Sequence, residues 1–456
     1  VIASNPSPRK GAREIATEIL AKVDTRKAYA DLLLDHALKS AELTARDRAL
    51  LTEMTYGTLR WRGRLDGALK PHFRRPLEKT DPFLRNLLRL SLYQLMFLNR
   101  VPDYAALNDA VQLAKRRGGG RAGGFINAVL RNYLRQKKDL SEPDPLRSSS
   151  SAIAEYWSHP EWLVQKWLLY FGRNDTVELL KANNEEAPLI LRINLARTTR
   201  DQLLQNLTVK GIEAAPTPWS PQGVIVRSRL PVEKLVGFHE GLFQVQGEAS
   251  QLVVYLLSPQ PGERILDACA APGGKSTHIA ETMEDRGEVI ATDISEKGLR
   301  LVKQNSDRLK LTSIRCIRAD CSKPLNETLQ RPFDRILVDA PCSGFGTLRS
   351  HPEIKWNRGA PDIERLSRVQ QTILDRIAAS VRAGGVLVYS TCTLIEEENE
   401  KIVERFLRSH AEFVLDDAAG YLPSSAKPMV QGRYFLSLPQ RHHTDGFFAA
   451  RMRKAS

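Results

Sequence analysis

Apolar residues recur at spacings of three and four through most of the first third of the chain. GAREIATEILAKV (11–23), DLLLDHALKSAEL (31–43), ARDRALLTEMTYGTLRWRGRLDGAL (45–69), DPFLRNLLRLSLYQLMFL (81–98) and FINAVLRNYLRQ (125–136) each gather their apolar side chains on one helical stripe. Strand-like alternation is almost absent there. Asp81-Pro82 and Pro102-Asp103 read as helix starts, with the acid as cap and proline at or near the first turn. The rhythm changes after LSEPDPLRSSSSA (140–152), whose proline and serine content marks a linker. Residues 155–240 mix helical stretches, EWLVQKWLLYFG and RDQLLQNLTVKG, with the short strands PLILRIN and GVIV, which predicts a small α+β unit. From 263 to 392, strand-sized apolar runs alternate with helices: RILDACA, EVIATD, IRCIRAD, DRILVDA and GVLVYST. Each ends in an acid, a cysteine or small residues. This pattern predicts an α/β, doubly wound parallel sheet with ligands at the carboxyl ends of its strands. The expected domains are therefore 1–142 (all-α), 153–242 (small α+β) and 243–456 (α/β).

Length and charge sharpen this division. A chain of 456 residues, 42% hydrophobic and 26% charged, has enough apolar material for two or three cores. The net charge of +14 is unevenly spread, since residues 1–140 hold 27 Lys or Arg against 14 Asp or Glu. That asymmetry predicts a polyanion-binding module joined to a nearly neutral one, the other reading being a well-solvated helical surface. The cationic, glycine-rich KRRGGGRAGG (115–124) is either a loop that brings amides and guanidinium groups close to phosphates or a flexible connection between helices. No apolar run approaches the roughly 20 residues needed to span a bilayer, and VIASNPSPRKGAREIA lacks the apolar core of a secretory signal. The first residue is not Met, which leaves room for processing. Five cysteines, odd in number and without Cys-x-x-Cys spacing, argue against disulfides and structural zinc and favour a reducing cytoplasm. His442 and His443 have no cysteine or acid at ligand spacing, so no metal is expected.

The candidate chemistry lies at the strand exits. In DACAAPGGKSTHIAE (267–281), Gly273 and Gly274 let backbone approach a ligand, and the following helix offers free amides. A phosphate loop is disfavoured, because its first glycine would fall at Cys269 and Pro272 lacks an amide. The dinucleotide fingerprint is absent as well. Asp293, twenty residues past Gly273, is placed to accept both hydroxyls of a ribose, and Asp320 to take an adenine amino group. A ribose without a pyrophosphate fits an adenosyl ligand. Cys342 and Cys392 follow consecutive buried strands, so both should reach one crevice beside Asp339. A single buried thiol is usually inert, but a pair there calls for chemistry. Thiolate addition at C6 of a pyrimidine makes C5 a nucleophile, a carboxyl on N3 and N4 favours that addition, and a second thiol can assist release. The helix beginning at EEENEK would favour a thiolate, whereas Glu396, Glu397 and Glu398 act in the opposite sense.

GEASQ (247–251), DACAAPGGK (267–275), DAPCSG (339–344), RSHPEIKW (349–356), YSTCT (389–393) with EENE, and DGFFAARM (445–452) together resemble the RNA cytosine-C5 methyltransferases of the RsmB/NOP/NSUN superfamily. With N-terminal helices similar to the antitermination factor NusB, the chain looks like the bacterial enzymes that methylate small-subunit ribosomal RNA. The resemblance implies a Rossmann-like, S-adenosylmethionine-dependent methyltransferase domain behind an all-α NusB-like domain and a small α+β domain. It implies Cys392 as nucleophile, Cys342 as the release cysteine, and Asp339 and Lys275 at the active centre. The implied cofactor contacts are Cys269, Ala270, Ala271, Pro272, Gly273, Gly274 and Lys275, with Asp293, Asp320 and Asp339. The family often carries Arg where this chain has Gly298. Arg349, His351, Lys355 and Trp356 either hold RNA or form a structural loop. The implied partner is RNA, most of all small-subunit ribosomal RNA, with no membrane and no obligate protein partner. Transfer RNA as substrate, and a noncatalytic RNA-binding assembly factor, are the competing functions.

Overall fold

The computed structural model describes residues 10–99, 101–136, 141–228 and 230–456. Residues 1–9, where the reading against a secretory signal begins, and Leu140, the first residue of the expected linker, lie outside the described residues. The chain forms two compact units, Val1–Glu185 with Leu348–Arg358, and Glu186–Thr347 with Gly359–Ser456. No helix among the described residues is long and apolar enough to cross a membrane.

The first unit is helical: Ala12–Arg26, Ala30–Ser40, Ala45–Arg60, Arg62–Leu69, Pro82–Phe97 and Asp103–Gln136, then Ser150–Tyr156, Glu161–Phe171 and Arg173–Asn183. Asp81 caps its helix as the sequence predicts, accepting the amides of Phe83 at 3.0 Å and Leu84 at 3.1 Å. Two expectations need correction. The continuous helix over 45–69 breaks at Trp61, whose φ of −100° and ψ of 11° leave the helical region. KRRGGGRAGG is no loop: the chain stays helical through it except at Gly118, with a φ of −143°, and Gly119, where a φ of +69° suits glycine. Lys115, Arg116, Arg117 and Arg121 are exposed there. The core packs Leu20, Met54 and Leu90 in one cluster and Leu88, Leu113 and Ile126 in another. Between helices, Arg62, Arg85 and Arg89 converge on the carboxylate of Asp24. Burial opposes its ionisation, but the three guanidinium groups outweigh burial and hold the group at about 2.

The segment 348–358 belongs to this unit, and in it Lys355 and Trp356 make structural contacts. Lys355 is fully buried and donates to the carbonyls of Arg60 (2.9 Å) and Ser158 (3.0 Å) and to Asn184 Oδ1 (2.9 Å). The indole of Trp356 donates to Leu59 O at 2.9 Å. Glu353 accepts the Ala30 amide at 3.2 Å. Side chains occupied in this way anchor the segment.

The second unit opens with four antiparallel strands, β1 (Leu189–Ile193), β2 (Glu213–Pro216), β3 (Gly223–Arg227) and β4 (Phe243–Val245), in the order β2-β3-β1-β4. The main sheet follows: β5 (Arg264–Asp267), β6 (Glu288–Asp293), β7 (Ile314–Arg318), β8 (Phe333–Asp339) and β9 (Val381–Thr391) are parallel, in the order β9-β8-β5-β6-β7. Beyond β9 the sheet turns antiparallel through β13 (Phe447–Lys454), which pairs with β12 (Tyr434–Ser437) and β10 (Phe413–Leu415), and β12 carries β11 (Val430–Gln431). The Rossmann-like part is as expected, and the sheet as a whole is mixed. The order reverses between β5 and β8, the switch point where such sheets bind ligands. In register, Asp339 lies opposite Ser390, Asp293 opposite Arg318, and Asp267 opposite Ala291 and Leu337. The acids therefore leave the sheet along one edge.

Candidate active site

The turn after β5 is built to receive a ligand. Gly273 has a φ of +101°, and a Cβ there would come within 2.9 Å of Val302 Cα. The helix Gly274–Thr282 then starts without a side-chain cap, which leaves its first amides available. Asp293 holds the turn from the next strand exit, its Oδ2 accepting the Ala271 amide at 3.2 Å and its Oδ1 that of Ser295 at 2.8 Å. Asn305 adds a bond to Pro272 O at 3.0 Å. Gly298 explains the departure from the usual Arg in packing terms. A Cβ there would lie 2.6 Å from Ala271 Cβ, so this chain's helix sits directly against the turn.

Behind the turn, Asp267 is fully buried, takes the Ser276 hydroxyl at 2.6 Å on one oxygen and has no partner on the other. Burial, with the charges of Asp339 and Asp293, pushes its carboxyl up to about 7 against the Ser276 bond and Lys275. Burial likewise raises the Cys269 thiol, helped by Cys321 and the neighbouring acids. Asp320 stands apart. One of its oxygens binds the Ser322 amide and hydroxyl, at 3.0 and 2.6 Å, and these bonds lower its carboxyl. These residues fit an adenosyl ligand: an acid at the strand exit beside a glycine turn, free helix amides, and no second glycine loop for a pyrophosphate.

The cysteines, acid and lysine singled out in the sequence meet at the ends of β8 and β9. Lys275 Nζ lies 2.6 Å from Asp339 Oδ2, and Ser390 Oγ donates to Asp339 Oδ1 at 2.8 Å. The Lys275 ammonium also faces the Phe447 ring, 5.1 Å from its centroid. The sulfurs of Cys342 and Cys392 are 3.3 Å apart. The contact with Cys392, then burial and the nearby Glu398, push the Cys342 thiol well up. The sequence thus foresaw Cys342 and Cys392 in one crevice beside Asp339, but not the Lys275–Asp339 pair. It missed Arg192, a fully buried guanidinium on β1 that bonds Glu281 Oε1 at 2.9 Å and Gly274 O at 2.7 Å. Only a charged residue inside an apolar strand, PLILRIN, hinted at it.

His442, shortly before β13, is accounted for locally. His442 Nδ1 accepts the Leu438 amide at 2.9 Å, and burial, with the charge of Arg441, lowers it to about 4. The one group of ligand-type side chains that converge among the described residues is Asp31, His351 and Glu353, in the first unit.

Comparison with known proteins decides the family. The model of the 16S rRNA methyltransferase RsmB/F family matches residues 254–453, that of the NusB family residues 10–135, and that of the RsmF/B-like ferredoxin-like domain residues 159–233. "Probable ribosomal RNA small subunit methyltransferase B" of Bacillus subtilis (strain 168) is 39% identical over 450 residues, covering 98% of this chain and 99% of its own length. The chain belongs to this methyltransferase family. Ribosomal RNA small subunit methyltransferase B of Pseudomonas syringae pv. tomato is 37% identical, covering 97% of this chain and 96% of its own. Among solved structures, PH0851 superposes with a TM-score of 0.83 at 25% identity, over 98% of this chain and 100% of that one. NSun6 from Pyrococcus horikoshii, crystallised with SFG, gives 0.57 at 25% identity over 65% of this chain and 98% of its own. The NusB-like and ferredoxin-like regions of the family match the helices of the first unit and the stretch leading into β3.

Proposed function

We propose that the protein transfers a methyl group from S-adenosylmethionine to C5 of a cytosine in 16S ribosomal RNA, through a covalent bond between Cys392 and C6 of the base. The observation that carries this reading is the pair of sulfurs 3.3 Å apart beside the Lys275–Asp339 pair, at the exits of adjacent strands. The names of the full-length relatives supply the substrate class. When bound, S-adenosylmethionine supplies an electrophilic methyl group. The chain supplies the rest. Cys392 sulfur adds to C6, and Asp339, held by Lys275 and Ser390, bonds the N3–N4 edge so that the electron pair released into the ring reaches C5. Once C5 has taken the methyl group, a base from solvent takes its proton, the freed electron pair re-forms the C5–C6 double bond, and the carbon–sulfur bond breaks with its pair going to Cys392 as thiolate. Cys342 is held as a thiol by its surroundings, so it has a proton to share with the departing sulfur. Cys269–Lys275, Asp293 and Asp320 hold the cofactor in this reading, with Asp293 on the ribose.

The base must be unpaired or turned out of its helix to reach C6. In the same reading, residues 1–142 bind RNA through the exposed Lys115, Arg116, Arg117 and Arg121, residues 153–242 form a small α+β domain, and residues 243–456 carry the chemistry. Mapping 5-methylcytosine over total RNA from cells with and without the protein tests this function. A position in 16S ribosomal RNA that loses its mark supports it, a lost mark in transfer RNA moves the substrate, and unchanged marks overturn it.

A further inference from the structure

Three neighbouring glutamates, Glu396, Glu397 and Glu398, follow Cys392, and the structure separates them sharply. Glu396 is partly exposed and pairs with Lys401 at 2.6 Å. Glu398 is fully buried. Its Oε1 accepts the Ser343 amide at 2.9 Å and Gln370 Nε2 at 3.0 Å, and its Oε2 accepts the Ser343 hydroxyl. The Ser343 hydroxyl in turn lies 2.8 Å from Thr393 Oγ1. Ser343 is the residue after Cys342, and Thr393 is the residue after Cys392. One carboxyl therefore binds the successors of both cysteines, from a third piece of chain.

We infer that Glu398 is a positioning residue that sets the separation of the two active-centre sulfurs by locking Ser343 and Thr393 together behind them. The surroundings fit this role. Gln370 also donates to Pro341 O at 3.0 Å, so the residue on the other side of Cys342 is tied to the same cluster. Asn399, the next residue, accepts the Thr391 hydroxyl at 2.6 Å and donates to Thr393 O at 3.0 Å, bracketing Cys392. The Glu398 carbonyl accepts the Tyr389 hydroxyl at 2.6 Å, which fixes the carboxyl's own backbone to β9. A buried carboxyl is costly unless donors satisfy it, and here Ser343 and Gln370 do so. Burial raises its carboxyl, while Ser343, Gln370 and Thr393 act in the opposite direction.

The consequence deepens the reaction proposed above and rests on it: attack by one sulfur and assistance from the other require that both stay within reach of one base. Releasing the clamp should damage turnover without touching cofactor binding. The spacing itself can be tested without any reaction, because phenylarsine oxide bonds two thiols at once, with loss of water, only when they are adjacent. Capture is compared in the parent, Glu398→Ala, Glu398→Gln and a Cys342→Ala control that removes the pair. A misplacement of about 1 Å can cost on the order of 100-fold in rate, so Glu398→Ala should lose roughly that factor in methyl transfer and about tenfold in dithiol capture. Glu398→Gln, which keeps an acceptor and the side-chain volume, should restore most of the capture, and affinity for S-adenosylmethionine should be unchanged in both. If Glu398→Ala does not fold, Thr393→Val, which deletes only the hydroxyl link, is read in its place. Parent-like capture in a folded variant overturns the inference. Weakened capture in a protein that methylates no cytosine would keep the positioning role and remove the reaction.

Discussion

Replacing Arg192 with Met probes the least expected feature of the cofactor turn. The guanidinium is wholly buried and Glu281 nearly so, and no solvent compensates either charge if the other is removed. Breaking such a pair from one side costs about 3–5 kcal/mol, because an uncompensated buried charge remains. For a unit of this size each 1 kcal/mol shifts the melting temperature by about 2–4 °C, so a fall of roughly 10 °C is expected. The loss has a pH signature. Burial pushes the Glu281 carboxyl up while Arg192 pulls it down. Without Arg192 the upward push of burial is opposed by Arg308 alone, so the variant's folded Glu281 keeps its proton to higher pH than the unfolded chain does. Its stability then falls as pH rises, and the gap from the parent widens between pH 5 and pH 8. Arg192→Met/Glu281→Gln, which leaves no charge, should recover most of the loss. Gly274 O also loses its 2.7 Å donor, which should weaken cofactor binding about tenfold, the equivalent of one hydrogen bond. Thermal unfolding at both pH values with titration of S-adenosylmethionine measures all three effects. A single variant melting within about 2 °C of the parent at pH 8 would refute the reasoning.

Other residues give independent tests. Asp267 sits at about 7 when folded and near 3.9 when unfolded, so the parent should lose about 4 kcal/mol between pH 4 and pH 7 as the buried proton is surrendered. Asp267→Asn should abolish that part of the slope in melting curves without cofactor, and an identical slope in both proteins would contradict the assignment. Asp24 is shifted the opposite way, to about 2, so its contribution of about 2 kcal/mol is present above pH 4 and lost as pH falls toward 2. Asp24→Asn should therefore be less stable at pH 7 and indistinguishable from the parent near pH 2. Lys115→Glu/Arg121→Glu should weaken RNA binding and lower the salt slope by about 0.7 for each phosphate of single-stranded RNA that is no longer neutralised, while leaving melting unchanged; an unaltered slope places the RNA elsewhere.

What the sequence disclosed followed from local pattern. Each strand-like run was followed by an acid, a cysteine or small residues, and β6 spans Glu288–Asp293, the stretch EVIATD itself. Placing Cys342 beside Cys392 required only that consecutive buried strands be neighbours, which they are. The unread features depended on long-range partners. Glu398 was one of three identical residues, and Ser343, 55 positions away, is what distinguishes it. Arg192 meets Glu281 across 89 positions. Lys355 had the look of an RNA-facing cation, yet three oxygens from residues remote in the chain, on Arg60, Ser158 and Asn184, enclose it. The stretch 115–124 misled through composition, since glycines that usually mark a loop break the helix only at Gly118 and Gly119.

The central claim is that Cys392 attacks and Cys342 releases, and trapping the covalent intermediate tests it most directly. Each single Cys-to-Ala variant is incubated with its RNA and S-adenosylmethionine, then run on a denaturing gel to count protein–RNA adduct. The account predicts that Cys342→Ala accumulates adduct and Cys392→Ala forms none; adduct with Cys392→Ala, or with neither, would contradict it.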